Sequence, residues 1–180
     1  MYKTVVFDLD GTLLNTLTDL ADAGNRLCRK YGWPTHERQA YSYFVGNGIP
    51  KLVERLAPAD QRTPAVLEAA LADFKRDYGQ HLRDTTAPYP GIPEMLAKLK
   101  TNGVQLAVFS NKADALAKEV VKDYFGTQYF TIVRGQMTGV APKPAAEGTN
   151  ALLQALHADP ASTLYVGDSN VDVETAHNAN

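Results

Sequence analysis

The sequence contains one cysteine, Cys28, and no apolar run of the length that a membrane span needs. A single cysteine excludes an intrachain disulfide and favours a reducing, cytoplasmic location. Because Cys28 lies in a stretch with helical apolar spacing, we interpret it as a buried helix residue. With 18 basic and 20 acidic side chains, the net charge of −2 gives no general attraction to nucleic acid or to a membrane surface. The first predicted strand starts so early that no signal peptide is expected ahead of it.

The most informative segment is residues 4–13, TVVFDLDGTL. Its apolar start predicts a short buried strand, and Asp8 and Asp10 follow at the carboxyl end, where open α/β sheets bind ligands. Two carboxylates this close repel each other unless a cation or a proton lies between them, so the pair predicts a site for Mg²⁺, which prefers oxygen ligands. A chance match to D-x-D-G-T-L has odds on the order of 10⁻⁴, which favours a catalytic site over an ordinary Asp-Gly turn.

Strand-like and helix-like segments alternate in residues 1–15 and 85–180. The predicted strands are 4–9, 105–110, 129–133 and 163–167, and the predicted helices are 92–101, 113–124, 145–157 and 171–178. This alternation predicts a doubly wound α/β catalytic core with a parallel sheet. Residues 16–84 contain no convincing strand and predict an inserted all-helical cap domain, with helices at 18–31, 36–45, 49–56 and 64–83.

Three further segments carry polar side chains next to predicted strands and helices. Ser110 and Asn111 end the second strand, where they either donate hydrogen bonds to an anion or cap the next helix. Lys143 lies between two prolines that stiffen its backbone, although an isolated loop lysine is usually a solvated surface charge. Asp168 and Asp172 follow the last strand and are four residues apart, so they share one helix face. The alternative is an acidic first helical turn without a ligand.

In this order the four segments resemble the signature motifs of the haloacid dehalogenase-like superfamily, most of whose members are Mg²⁺-dependent phosphohydrolases. In residues 44–48, FVGNG, and the helix after them the chain is also similar to the phosphoglycolate phosphatase-like subfamily. The resemblance implies hydrolysis of a phosphate monoester through an aspartyl-phosphate intermediate. The implied roles are catalytic for Asp8, Asp10, Ser110 and Lys143, metal-binding for Asp8, Asp10 and Asp168, orienting for Asp172, and substrate-binding for Thr12, Asn111, Gly46, Asn47 and Arg55.

The resemblance also implies Mg²⁺ as cofactor and a small phosphorylated metabolite as substrate, with no nucleic-acid or membrane partner; we expect a monomer or a weak homodimer. Several alternatives stay open. A pyrophosphatase or a hexose-phosphate mutase would share the same core residues. A haloacid dehalogenase needs no Mg²⁺ and typically lacks the acid that Asp10 supplies, and a non-catalytic binding protein could use the same fold. Gly46 to Gly48 could form a simple turn, and Arg55 could be a surface charge.

The sequence stops within the helix predicted to follow Asp172, whereas members of the resembling family usually continue through another strand and helix. We therefore expect one sheet edge to be missing and residues 163–167 to form an exposed edge strand beside Asp168. A chain shortened in this way could be inactive and serve only in binding.

Overall fold

The computed structural model describes residues 2–179. The strands are β1 (Thr4–Phe7), β2 (Leu14–Asn15), β3 (Ala87–Pro88), β4 (Gln105–Ala113), β5 (Ile132–Gln136) and β6 (Thr163–Val166). The helices are α1 (Leu17–Tyr31), α2 (Arg38–Phe44), α3 (Ile49–Leu56), α4 (Pro64–Gln80), α5 (Ile92–Thr101), α6 (Asp114–Phe125), α7 (Ala146–Leu156) and α8 (Asn170–Asn178). None of the helices in residues 2–179 is both long and apolar enough to span a membrane.

The main sheet is parallel and has the strand order β5–β4–β1–β6. Val6 of the central strand β1 aligns with Ala107 of β4 on one side and with Tyr165 of β6 on the other. The chain runs from β1 outward through β4 to β5 and then crosses to β6 on the opposite side of β1. This reversal marks the ligand-binding crevice of doubly wound sheets. The predicted α/β fold class is confirmed, and β6 is an edge strand of the sheet.

One core cluster forms where α7 covers the sheet. Its buried members are Val6, Ala107, Phe109, Leu152, Leu153 and Leu156. The three leucines share a helix face because their spacing follows the helical period, and burial of each contributes about 1.5–3 kcal/mol. The helix lies so close to the sheet that a Cβ at Gly148 would be 2.6 Å from the Phe109 ring.

The chain divides into two compact units, Met1–Asn15 with Pro88–Asn180 and Thr16–Ala87. The sequence placed the second boundary after residue 84, three residues earlier. Asp19 of α1 explains why residues 85 and 86 belong to the helical unit. Its buried carboxylate accepts hydrogen bonds from the backbone N–H and the hydroxyl of both Thr85 and Thr86, which satisfies a charge that would otherwise be costly to bury.

The helical unit is built from α1 to α4, with α1 packing against α2, α3 and α4. Leu27, Leu52, Leu56 and Phe74 are buried among its helices, each at most 4% exposed. Cys28 is fully buried in α1, as predicted, and burial raises the pKa of its thiol to about 11. Within residues 16–84, which were predicted to be all helical, the structure has the helices α1 to α4 and a short 3₁₀ turn at Ala59–Gln61. Strand β3 begins at Ala87, after that segment.

Most element boundaries agree with the predictions within two residues. Helix α4 ends at Gln80 rather than at residue 83, strand β5 lies three residues later than predicted at both ends, and strand β4 is three residues longer. Strand β5 starts at Ile132 rather than at residue 129, because Phe130 packs against Phe125 at the end of α6 before the chain enters the sheet. Strand β4 extends to Ala113 instead of residue 110 because its pairing with β5 shifts register between Phe109 and Ala113 and then resumes.

Candidate active site

Strand β1 places Asp8 at the carboxyl end of the sheet. Its backbone N–H donates to the carbonyl of Val166 in β6 at 2.8 Å, which continues the ladder one residue past the strand. The chain then turns at Gly11, whose φ of +89° favours glycine. A Cβ at Gly11 would lie 2.3 Å from Oδ2 of Asp168. The glycine of the first motif is therefore what lets the first motif pack against the last one.

Lys143 is a buried cation at the centre of the site, with a side chain that is 2% exposed. Its Nζ lies 2.9 Å from Oδ1 of Asp8 and 2.7 Å from Oδ1 of Asp172. The ammonium also donates to the hydroxyl of Tyr165 at 3.2 Å and to the carbonyl of Phe109 at 3.3 Å. These contacts rule out the alternative that Lys143 is a solvated surface charge.

Asn111 holds the backbone of Lys143 in place. The N–H of Lys143 donates to Oδ1 of Asn111 at 2.8 Å, and Nδ2 of Asn111 donates to the carbonyl of Lys143 at 3.2 Å. The following peptide bond, Lys143–Pro144, is cis. Asn111 was predicted as a substrate-binding residue, but in the structure both ends of its amide bond to this loop.

Three acidic side chains converge beside Lys143. Asp8, Asp168 and Asp172 each place one carboxylate oxygen within 4.8 Å of the others. Asp168 is held by the hydroxyl of Thr12, which donates to its Oδ1 at 3.0 Å. Thr12, predicted as a substrate-binding residue, is thus bonded to a candidate metal ligand. Asp172 also accepts the N–H and hydroxyl of Ser169 in the capping box of α8, so its position is fixed at the helix start.

Asp10 faces a second buried cation that the sequence prediction did not assign, Lys112 of β4. Nζ of Lys112 lies 3.0 Å from Oδ1 and 3.3 Å from Oδ2 of Asp10. The neighbouring Ser110 is buried, and its Oγ accepts the backbone N–H of Lys112 at 3.2 Å. Since that bond uses an oxygen lone pair, the hydroxyl proton of Ser110 remains able to donate.

The titration of the site reflects burial opposed by charge pairing. Burial raises the pKa of Asp8 to about 6; Lys143 counteracts this and Asp172 adds to it. Burial alone would lower the pKa of Lys143, but the carboxylate of Asp8 and other anionic neighbours raise it above its usual value. For Asp172, burial is outweighed by Lys143, which lowers the pKa of the carboxyl group. Hydrogen bonds from Ser169 lower the pKa of Asp172 further, whereas for Asp8 the effect of burial exceeds that of Lys143.

Burial also raises the pKa of Asp168, with a further increase from Asp172, against the lowering effect of the Thr12 hydrogen bond. Nearby positive charge therefore does not offset the burial of Asp8 and Asp168. In addition, Oδ1 of Asp8 is buried and has its ion pair to Lys143 but no hydrogen bond from any of residues 2–179. A hard divalent cation with oxygen ligands, such as Mg²⁺, fits this donor set.

The predicted cap residues lie in the helical unit. The loop before α3 has positive φ at Gly46 and Gly48, as a tight turn requires. The guanidinium of Arg55 donates to the carbonyl of Phe44 at 2.7 Å and to Oδ1 of Asn47 at 2.9 Å. Arg55 thus stabilises this loop through two hydrogen bonds and is not a freely solvated charge.

Sequence reasoning missed Lys112 and Tyr165. The local sequence identifies Lys112 only as a lysine near the end of a predicted strand. Its contact with Asp10, 102 residues away, follows from the pairing of β4 with β1. Tyr165 read as an apolar strand residue, although its hydroxyl bonds to Lys143. The signal that could have drawn attention to Tyr165 is its position three residues before Asp168 in a predicted strand, although its alignment with Val6 appears only in the structure.

The comparisons with known proteins agree with this geometry. The family model for haloacid dehalogenase-like hydrolases matches residues 5–180. The chain therefore belongs to the haloacid dehalogenase-like hydrolases and is an enzyme of this family. It is 32% identical to a phosphoglycolate phosphatase of Thiobacillus denitrificans over 98% of this chain and 79% of that protein. It is 33% identical to one of Neisseria meningitidis over 97% of this chain and 75% of that protein. A predicted phosphoglycolate phosphatase of Haemophilus somnus, of known crystal structure, is 28% identical with a TM-score of 0.88, over 99% of this chain and 82% of that one.

Proposed function

We propose that the protein is a Mg²⁺-dependent phosphate monoester hydrolase that works through an aspartyl-phosphate on Asp8. The observation that carries this proposal is the buried carboxylate of Asp8, 2.9 Å from the Lys143 ammonium and beside two further acids. A carboxylate nucleophile next to fixed positive charge suits attack on an anionic phosphoryl group. The first candidate substrate is phosphoglycolate, supported by the names of the relatives that the chain resembles at 32–33% identity.

In the first step an oxygen of Asp8 attacks phosphorus as the bond from phosphorus to the leaving oxygen breaks. Asp10 gives its proton to that leaving oxygen. Ser110 donates its hydroxyl proton to a phosphoryl oxygen, and the ammonium of Lys143 offsets charge on the transferring group. Each of these side chains lies at the carboxyl end of β1 or β4 or in the loop that Asn111 ties to β4.

In the second step Asp10, now a carboxylate, takes a proton from water as the water oxygen attacks the phosphorus of the intermediate. The bond between phosphorus and the Asp8 oxygen breaks, which releases inorganic phosphate and restores both acids. Mg²⁺ would be held by Asp8, Asp168 and the backbone carbonyl of Asp10, where it supplies charge neutralisation for the phosphoryl oxygens. Asp172 orients Lys143 through their 2.7 Å ion pair.

The test is release of inorganic phosphate from phosphoglycolate, pyrophosphate and hexose phosphates, with Mg²⁺ or with excess chelator. We expect Mg²⁺-dependent hydrolysis with phosphoglycolate preferred. Asp8→Asn should lower turnover by at least about 10³-fold, since the amide keeps the shape and loses the nucleophile. The exposed-acid variant Asp60→Asn is the matched control. Full activity in chelator, or in Asp8→Asn, would refute the mechanism, and phosphate transfer to a second sugar hydroxyl would indicate a mutase.

A further inference from the structure

We propose that Lys112 is a positioning residue for Asp10, holding the acid–base carboxylate in the orientation that proton transfer needs. The inference rests on the proposed function, because it concerns the two proton transfers assigned to Asp10. It goes further by giving a role to a cation that the signature motifs leave unassigned.

The contact itself is the first argument. The Lys112 ammonium reaches both oxygens of Asp10, at 3.0 and 3.3 Å, so the carboxylate is held against rotation as well as displacement. The Lys112 side chain is 2% exposed while that of Asp10 is 22% exposed. Lysine is almost never this deeply buried without a partner, and removing its ammonium from water costs several kcal/mol. The fold has therefore placed this charge behind Asp10 and left the outer side of the carboxylate accessible.

The local shape of β4 is the second argument. Successive side chains of a regular strand point to opposite faces, yet the neighbours Asn111 and Lys112 both bond to groups of the one site, the Lys143 backbone and Asp10. The register shift in this part of β4 makes that possible, since such irregularities re-aim side chains beside active sites. Gly135 of β5 accommodates the irregular segment: a Cβ there would be 2.5 Å from the carbonyl oxygen of Lys112.

The consequence concerns the leaving group. As the Asp10 proton moves to the leaving oxygen, the negative charge left on the carboxylate develops next to the Lys112 ammonium, which stabilises it. Without Lys112, the Asp10 side chain is free to turn toward solvent and the proton transfer loses its fixed geometry. For an ester whose leaving group departs readily without protonation, removal of Lys112 should therefore change kcat/KM very little.

The experiment compares kcat/KM of wild type and Lys112→Met on phenyl phosphate and 4-nitrophenyl phosphate, two esters of similar shape whose leaving groups differ. For this mechanism kcat/KM reports the steps up to formation of the phosphoenzyme. We expect Lys112→Met to lose about 10²-fold on phenyl phosphate, as for removal of general acid catalysis, and only a few-fold on 4-nitrophenyl phosphate. Lys112→Arg should restore most of the phenyl phosphate activity.

Lys118→Met is the matched control, because Lys118 pairs with Asp114 on the exposed surface of α6 and its side chain is 57% exposed. Equal losses of Lys112→Met on both esters would overturn the proposal. So would a loss confined to esters with a second anionic group, tested with phosphoglycolate against ethyl phosphate, because Lys112 would then bind substrate.

Failure of the proposed function gives a different result: wild type itself would hydrolyse neither aryl ester nor phosphoglycolate. A crystal structure of Lys112→Met tests the placement of Asp10 without any activity, and an Asp10 carboxylate in its wild-type position would overturn the inference. The variant should fold, because methionine replaces the buried stem and Asp10 can be hydrated from its exposed side.

Discussion

The ammonium of Lys143 lies 2.7 Å from Oδ1 of Asp172, and the two side chains are 2% and 3% exposed. The same ammonium pairs with Asp8 at 2.9 Å, so one cation is shared between the proposed nucleophile and a helix-capping acid. Two buried carboxylates on one ammonium leave excess negative charge. Burial is the largest influence on Asp8 and raises its pKa, whereas Lys143 and the hydrogen bonds from Ser169 lower the pKa of Asp172.

Asp172→Asn should weaken both stability and activity. The amide retains an oxygen for the cap of α8 but leaves Lys143 without its closer anion, and loss of one partner from a buried pair costs about 3–5 kcal/mol. Because Asp8 still pairs with the ammonium, we expect the free energy of unfolding to decrease by about 3 kcal/mol, the lower limit of that range. We also expect kcat to fall. Urea unfolding and steady-state kinetics measure the two effects. Glu174→Gln, on the exposed surface of the same helix, is the control, and unchanged stability in Asp172→Asn would contradict the shared-cation interpretation.

Asp8→Asn should stabilise the metal-free protein at neutral pH. The pKa of Asp8 is raised from 3.8 to about 6, chiefly by burial, so the folded state binds a proton more tightly than the unfolded chain does. Its ionised form therefore costs stability above pH 6, by about 3 kcal/mol when fully developed, and the cost declines to roughly half by pH 5.

The measurement is the difference in unfolding free energy between Asp8→Asn and wild type in EDTA at pH 5 and pH 8. Groups common to both proteins cancel in this difference. We expect Asp8→Asn to be the more stable protein, with a larger advantage at pH 8. A difference that does not change with pH would show that burial of the charge is not its cause.

Much of the fold was predictable because the chain alternates short apolar strands with amphipathic helices. Asp8, Ser110 and Asp168 were assigned to strand ends from local pattern alone, and a parallel sheet brings such ends to one edge. For Ser110 the structure differs, since β4 continues to Ala113. Lys143 needed the resemblance to a known motif, since nothing in a Pro-Lys-Pro loop reveals that its ammonium will be buried between two acids.

The remainder depends on contacts between residues far apart in sequence. Asn111 and Lys112 each depart from simple strand alternation because of the register shift in β4, which no short-range pattern predicts. Thr12 was assigned to substrate, while its hydroxyl bonds to Asp168, 156 residues away. Each of these polar residues can be recognised in the sequence, but its hydrogen-bonding partner is determined only by the packing of the folded chain.

Thr12→Val should weaken Mg²⁺ binding without removing a ligand. The substitution keeps the branched shape but deletes the hydroxyl that donates to Asp168 at 3.0 Å, and loss of such an orienting partner typically costs about 10–100-fold in metal affinity. Mg²⁺ at 100 times its Kd stabilises a protein by about 2.7 kcal/mol. The wild-type melting temperature should therefore rise with Mg²⁺, Thr12→Val should need more Mg²⁺ for the same shift, and Asp168→Asn should show little shift. Thr101→Val, at an exposed position of α5, is the control. A wild-type response in Asp168→Asn would contradict the proposed metal site.

Arg55→Ala should change the preference among phosphate esters more than it changes the Mg²⁺ requirement. The guanidinium bonds to both Phe44 and Asn47, so its removal loosens the glycine-containing loop that we propose as a substrate-selecting element. We expect KM for phosphoglycolate to rise about 10-fold relative to KM for an alkyl phosphate whose alkyl group is uncharged. This corresponds to a loss of about 1.4 kcal/mol in discrimination between the two esters.

Arg55→Lys should recover little of this selectivity, because an ammonium lacks the planar fork that reaches two acceptors at once. Lys51→Ala is the matched control: Lys51 lies on the same helix, pairs with Glu54 at 2.8 Å and has a side chain that is 46% exposed. Asn47→Ala tests the loop from its other side and should shift preference in the same direction as Arg55→Ala. If activity on every ester fell by the same factor in both variants, residues 45–48 would be a structural turn and not a substrate-selecting element.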